Sequence, residues 1–141
     1  MALSPLAIFE QDYQLGLHLL LAKDAYLASI CFKRMLESPL LCDGALALKR
    51  LAACNLGECY ILLNNVDKAE YYFRFAIQLQ DPAAHYALGK LLEGEGDFRA
   101  LEHYTQAAKL GNTLAQTRLV TLLGILHTAD RCTFLEILQR N

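Results

Sequence analysis

Four histidines, five cysteines and fifteen acidic residues are the side chains of this 141-residue chain that could carry acid–base, nucleophilic or metal chemistry. Spacing decides whether they do. His18, His85, His103 and His127 fall in different predicted helices or turns, and none lies at a short metal-ligand interval from a cysteine or carboxylate. Cys54 and Cys59 are five residues apart in helical text, an interval that turns them to different faces, so they read as small buried apolar side chains rather than a redox pair. Gly94-Glu95-Gly96 has the glycines of a phosphate loop but no strand before it, and reads as a tight helix-to-helix turn. The chain is therefore predicted to be no enzyme, to use no cofactor and to hold no metal. Binding is the chemistry left.

Composition narrows the partner. The 55 % apolar content, with no Trp and three Pro, is rich for one domain and fits helices covered on most sides. A formal net charge of −2 with Lys and Arg scattered along the whole chain leaves no basic stripe, which argues against nucleic acid. The apolar run Leu15 to Ala22 lacks a basic leader, follows Glu10 and Asp12, and is too short to span a bilayer, so it reads as a buried first helix and no membrane partner is expected. An odd number of cysteines without a signal peptide predicts free thiols in a reducing compartment, hence the cytoplasm.

Stepping along the chain shows what must position a binding surface. Leu15-Gly16, Leu56-Gly57 and Leu88-Gly89 recur in register. Ala28, Phe32 and Met35 follow the first glycine at 12, 16 and 19 residues; Ala69, Phe73 and Ala76 follow the second at the same intervals; Ala100, Tyr104 and Ala107 follow the third at 11, 15 and 18. A register repeated at a few tens of residues is the mark of stacked helix hairpins. Glycine inside a helix costs about 1 kcal/mol relative to alanine, so each glycine needs a packing reason. The expectation is that the following alanine faces it, bringing the two axes together, and that Phe32, Phe73 and Tyr104 fill the space between one hairpin and the next.

Eight helices in four hairpins follow from caps and breakers. Ser4-Pro5 opens a helix running to about Ala22, and Asp24 opens the second, ending near Ser38-Pro39. Asp43 is expected to cap the third, which runs to Asn64-Asn65, and the fourth spans about Val66 to Gln80. Asp81-Pro82 opens the fifth, ending at Gly94-Glu95-Gly96; the sixth covers about Asp97 to Leu110 with Gly111 as its stop. The seventh is expected from Thr113 to Leu123 with Gly124 behind it, and the eighth from Thr128.

These residues resemble the tetratricopeptide repeat, whose pattern is Leu-Gly, Tyr, Ala, an aromatic, Ala and Pro. The second copy, Leu56, Gly57, Tyr60, Ala69, Phe73, Ala76 and Pro82, matches best; the third, with Gly94, Gly96, Ala107-Ala108 and Gly111, leans toward the related Sel-one-like repeat. The resemblance implies an all-α, right-handed α-solenoid of about four antiparallel helix hairpins forming a single domain over 1–141, with repeats near 5–39, 43–81 and 82–111 and a degenerate capping hairpin at 112–141. It also implies a concave groove lined by the first helix of each hairpin. The matching positions here are Tyr13, Leu17 and Leu20; Cys54, Asn55, Glu58 and Ile61; Tyr86, Lys90 and Glu93; and Thr117, Arg118 and Thr121. Some members grip a C-terminal carboxylate there, but Tyr13, Leu17, Ala83 and Ala87 stand at lysine and asparagine positions of that clamp, leaving Asn55 and Arg118. Lys90 with Glu93 reads equally as a solvated pair, and Tyr86 as a cover for a neighbouring helix.

Gly57 lies 41 residues after Gly16, against about 34 for this repeat. The excess, around Leu40-Leu41-Cys42-Asp43-Gly44-Ala45-Leu46-Ala47-Leu48, is apolar. Either it folds over the end of the first hairpin as core, or Leu41, Leu46 and Leu48 form a second interaction surface with the stripe Phe134, Leu135 and Leu138 of the last helix. The expected partner is another protein or peptide segment with two or three apolar anchors, making the chain an adaptor or chaperone-like module. The alternative is a structural, self-associating subunit, such as a homodimer.

Overall fold

A computed structural model describes residues 2–128 and shows an all-α protein, with seven helices and no strand among the described residues. They are α1 (Pro5–Leu21), α2 (Ala25–Glu37), α3 (Asp43–Leu62), α4 (Val66–Gln78), α5 (Pro82–Gly94), α6 (Arg99–Lys109) and α7 (Thr113–Thr128). The eighth helix and the stripe Phe134, Leu135 and Leu138 lie outside the described residues. The described helices fall into two compact units, α1 to α4 ending at Asp81 and α5 to α7 starting at Pro82.

One turn chemistry closes most helices. Lys23, Asn64, Gln80, Gly96 and Gly111 have φ of 66°, 57°, 64°, 73° and 93°, and each is followed by Asp or Asn. The left-handed residue curls the chain back so that the next N–H reaches a carbonyl five residues earlier: Asp24 to Leu19 at 2.9 Å, Asn65 to Tyr60 at 2.8 Å, Asp97 to Leu92 at 2.9 Å and Asn112 to Ala107 at 3.0 Å. The same Asp or Asn then caps the following helix. Asp24 accepts from the Leu27 N–H at 3.1 Å, Asn65 from Lys68 at 3.2 Å and Asn112 from Ala115 at 2.9 Å. At the start of the chain Ser4 accepts from the Ala7 N–H at 3.1 Å, with Pro5 leading α1.

The α2–α3 connection departs from this turn because Pro39 forces Ser38 to extended backbone, at φ −65° and ψ 136°. Lys49, buried in α3, donates from Nζ to the Ser38 carbonyl and holds the strap down. The excess segment divides by face. Ala45 is fully buried, and a Cβ at Gly44 would sit 3.2 Å from Leu6 Cδ2, so this part packs on the start of α1. Leu41 and Leu46 point outward at 69 % and 41 % exposed, while Leu48 is half-buried.

Several boundaries correct the expectation. Cys42, not Asp43, is the N-cap of α3, and it makes no side-chain cap bond; Asp43 sits in the first turn, where its charge faces the positive end of the helix dipole. Asp97 takes the Arg99 N–H at 2.9 Å, so α6 starts at Arg99. α7 runs through Gly124 to Thr128, so Gly124 is no stop, and a cap by Thr128 on the eighth helix lies outside the described residues. A single glycine lowers helix stability by only about 1 kcal/mol, too little to end a helix by itself.

The glycine contacts also differ from expectation. A Cβ at Gly16 would lie 2.6 Å from Phe32 Cε1, at Gly57 2.5 Å from Phe73 Cε1, and at Gly89 2.8 Å from Tyr104 Cε1. The aromatic ring of its own hairpin is therefore the nearest neighbour of each glycine. The reason is directional: a long helical side chain leans toward the N-terminus of its helix, which brings the ring back to the level of the glycine on the antiparallel partner. Phe32, Phe73 and Tyr104 are all at most 1 % exposed, and Ala28, Ala69 and Ala100 are buried beside them.

Candidate functional site

In the first unit, α1 presents Tyr13, Leu17 and Leu20, all half-buried, while α3 presents Asn55 and Ile61, half-buried, and Glu58, exposed. Asn55 Nδ2 donates to the Tyr13 hydroxyl at 3.2 Å, and the Tyr13 ring lies 6.0 Å from Phe32. Burial raises the Tyr13 phenol above its ordinary range, against the lowering effect of the Asn55 bond. Tyr13 and Leu48 line one open cleft of about 560 Å³ together with Ala7, Glu10, Gln11 and Gln14 of α1. The structure thus joins one groove residue to one residue of the second surface.

Cys54 is buried, and its thiol is pushed far up, first by burial and then by the Asp81 carboxylate. Burial and Glu58 push Cys59 up to about 12. Thiolate is the nucleophile, so both thiols are inert at ordinary pH, and Cys31, Cys42, Cys54 and Cys59 are all free. In a Cys132→Ser background at pH 8, a disulfide reagent is expected to label Cys42, the exposed one, at once and the others only on unfolding. Rapid labelling of Cys54 in the folded chain would contradict this.

Two surfaces were not anticipated. An apolar cleft of about 690 Å³ opens between the start of α1 and the end of α2, walled by Ile8, Phe9, Met35 and Pro39 with the Asp12–Arg34 ion pair, 3.2 Å, at its rim. On α3 and α4, Tyr60 stacks on Tyr72 at 5.5 Å, Tyr71 meets Tyr72 edge-on at 5.0 Å, and Lys68 lies 5.4 Å above Tyr60. Tyr60 belongs to the repeat pattern, but nothing in that pattern marks its tyrosine neighbours.

In the second unit, Tyr86, Lys90 and Glu93 of α5 meet Arg118 of α7 around a pocket of about 340 Å³ that also contains Gly94 and Tyr104. Lys90 Nζ stands 5.7 Å from the Tyr86 ring centre, and Tyr86 lies 5.8 Å from Tyr104. Glu93 is buried rather than half of a solvated pair with Lys90. The Tyr104 hydroxyl donates to its Oε2 at 2.5 Å, Arg118 Nε donates to the same oxygen at 3.1 Å, and Arg118 Nη2 pairs with Oε1. Burial raises the Tyr104 phenol, with Tyr86 adding to it. Arg118, a clamp-type position, therefore has a carboxylate from its own chain. Thr117 is exposed and turns its hydroxyl to the Thr113 carbonyl at 3.1 Å.

No family model matches this chain, and no curated protein matches it. Its reading rests on its own geometry. Among the described residues no group of three or more His, Cys, Asp or Glu side chains is placed to hold a metal ion, and no helix is long and apolar enough to cross a membrane.

Proposed function

We propose that this chain is a non-enzymatic protein-binding module built as a tetratricopeptide-like or Sel-one-like solenoid of about four hairpins, acting in the cytoplasm as an adaptor or chaperone for a partner segment. One observation carries the repeat reading: an aromatic ring seated on a helix glycine in three successive hairpins, Gly16 with Phe32, Gly57 with Phe73 and Gly89 with Tyr104. Hairpins built alike stack alike, and stacked hairpins present their first helices on one side. The half-buried Tyr13 and Tyr86 support the binding reading, since partly exposed aromatics beside polar groups are the usual anchors for a partner chain. The ligand is an extended or helical segment carrying two or three apolar anchors.

Affinity capture from host lysate tests this. The Tyr13→Ala, Tyr86→Ala variant is expected to keep its helicity and lose a protein that the unaltered chain retains; a partner held equally by both would remove these positions from the site. A second reading, self-association, is favoured by the outward Leu41 and Leu46 and by Ile8, Leu15, Leu27 and Ile30, each 41 % exposed or more. Under it, Leu46→Glu lowers the mass in solution.

A further inference from the structure

We propose that the cleft between α1 and α3 takes a basic amphipathic segment of a partner protein, its apolar side chains set against Tyr13 and Leu48 and its Lys or Arg residues facing Glu10 and Glu58. It rests on the protein-binding function proposed above and gives the partner a chemistry. Leu6 lies beside Gly44 and Tyr13 accepts from Asn55, so the two helices run side by side in the same direction. The cleft of about 560 Å³ combines half-buried Ala7, Tyr13 and Leu48 with exposed Glu10, Gln11 and Gln14. Glu10 precedes Tyr13 by three residues and Glu58 follows Asn55 by three, intervals that keep each pair on neighbouring positions of its helix. The two carboxylates therefore flank the Tyr13–Asn55 bond, about 9 Å apart along the helix axes at about 1.5 Å per residue. That is close to the roughly 10.5 Å between residues seven apart on one face of a helix.

Charge selects the partner. α1 carries Glu10 and Asp12 and no Lys or Arg. Asp12 faces α2, where Arg34 holds it at 3.2 Å, whereas Glu10 faces the cleft. The Cys54 thiol is raised by burial and then by Asp81 and Glu58, and the Tyr13 phenol by burial with Asp81 among the further contributors, so the negative field of these carboxylates extends from α3 to the Tyr13 ring. The basic residues of α3 are turned elsewhere. Lys49 is buried with Nζ on the Ser38 carbonyl, and Arg50 shares the face of Gly57, seven residues on, which meets Phe73 of α4. Carboxylates beside an aromatic ring and a leucine attract a segment that is both cationic and apolar, and repel an acidic one. Asn55 occupies a lone pair of the Tyr13 oxygen, which leaves the phenol proton to donate to a carbonyl of the bound segment.

Fluorescence anisotropy on the full-length chain tests this with two labelled helical peptides of identical length and leucine spacing, one with lysine and one with glutamate at every polar position. The leucine–lysine peptide is expected to bind, more weakly as salt is raised, and the leucine–glutamate peptide not to bind. That comparison does not depend on any variant folding. The Glu10→Gln, Glu58→Gln variant is expected to weaken binding about two- to thirtyfold, the range that two exposed ion pairs supply, and Tyr13→Ala to remove most of it. Glu95→Gln with Glu102→Gln, which takes the same charge from exposed positions of the second unit, is expected to leave binding unchanged. Equal binding of the two peptides, both lost in Tyr13→Ala, would overturn the selection for a basic segment and leave the groove reading standing. Binding of the leucine–lysine peptide undiminished by Tyr13→Ala would remove the groove as well, and undetectable binding of that peptide would overturn the proposal. A chain that is dimeric until the peptide is added would put a second copy in the cleft and overturn it too.

Discussion

Gly57→Val is expected to unfold the α3–α4 hairpin, and Gly57→Ala to lower stability by about 1–3 kcal/mol or more. The alanine Cβ would lie 2.5 and 2.6 Å from Cε1 and Cδ1 of Phe73, well inside contact distance. A flexible side chain at the surface would swing away, but Phe73 is 1 % exposed and fills a close-packed space. Valine adds two more methyls against the same ring and exceeds the alanine cost. Helix propensity opposes this result, since Gly→Ala favours a helix by about 1 kcal/mol, so the sign of the measured change decides between the two effects. Gly124→Ala provides the comparison: it lies inside α7, a Cβ there meets nothing within 4 Å, and the propensity gain should appear alone. Urea midpoints of the two alanine variants are expected to move in opposite directions. Adding Phe73→Leu to Gly57→Ala should recover part of the loss, because the smaller side chain vacates the space the new methyl needs.

Arg118→Met is the second large effect. It leaves the Glu93 carboxylate, whose side chain is 7 % exposed, to the hydrogen bond from the Tyr104 hydroxyl. Breaking a buried ion pair from one side costs about 3–5 kcal/mol; Arg118 is itself 31 % exposed, so water reaches the site and the low end applies. Removing both charges is a different experiment. The Glu93→Leu, Arg118→Met, Tyr104→Phe variant leaves no stranded polar group and is expected to fall within about 1–2 kcal/mol of the parent, since apolar replacement of a buried pair is often neutral. Chemical denaturation of the single and triple variants checks this. A single variant as stable as the parent would mean that Glu93 is solvated in solution and that Arg118 is available to a ligand.

Local rules were legible in the residues wherever one position decides the outcome. Ser4-Pro5, Asp24 and Gly111 mark helix boundaries because their side chain, ring or missing Cβ acts within one turn of backbone. Pro39 likewise marks the break after α2. The cap at Asp43 failed because cap preference depends on which residue first leaves helical backbone, and the strap held by Lys49 shifts that point to Cys42. Three helix glycines announce three close contacts. Their partners were misassigned because alanine and the ring are one turn apart on the same face, and composition does not state which of them leans onto the glycine.

The candidate site divides in the same way. Tyr13, Asn55, Tyr86 and Arg118 were named from the resemblance to the repeat, which did not show that Glu93 lies buried under Arg118 and Tyr104, or that Leu48 shares a cleft with Tyr13. By itself the sequence determined the all-α class, most helix boundaries and which glycines are closely approached, since these follow from 3.6-residue periodicity and from backbone conformations confined to one or two residues. Tertiary structure alone decided which charges are buried and which leucines of equivalent register are covered. Leu15 is 48 % exposed and Leu56 fully buried although both precede the same glycine, because α1 packs on α2 and α3 while α3 is flanked by α1, α2 and α4. Burial is a property of neighbours brought together from distant parts of the chain, and identical residues in identical local text acquire different chemistry when those neighbours differ.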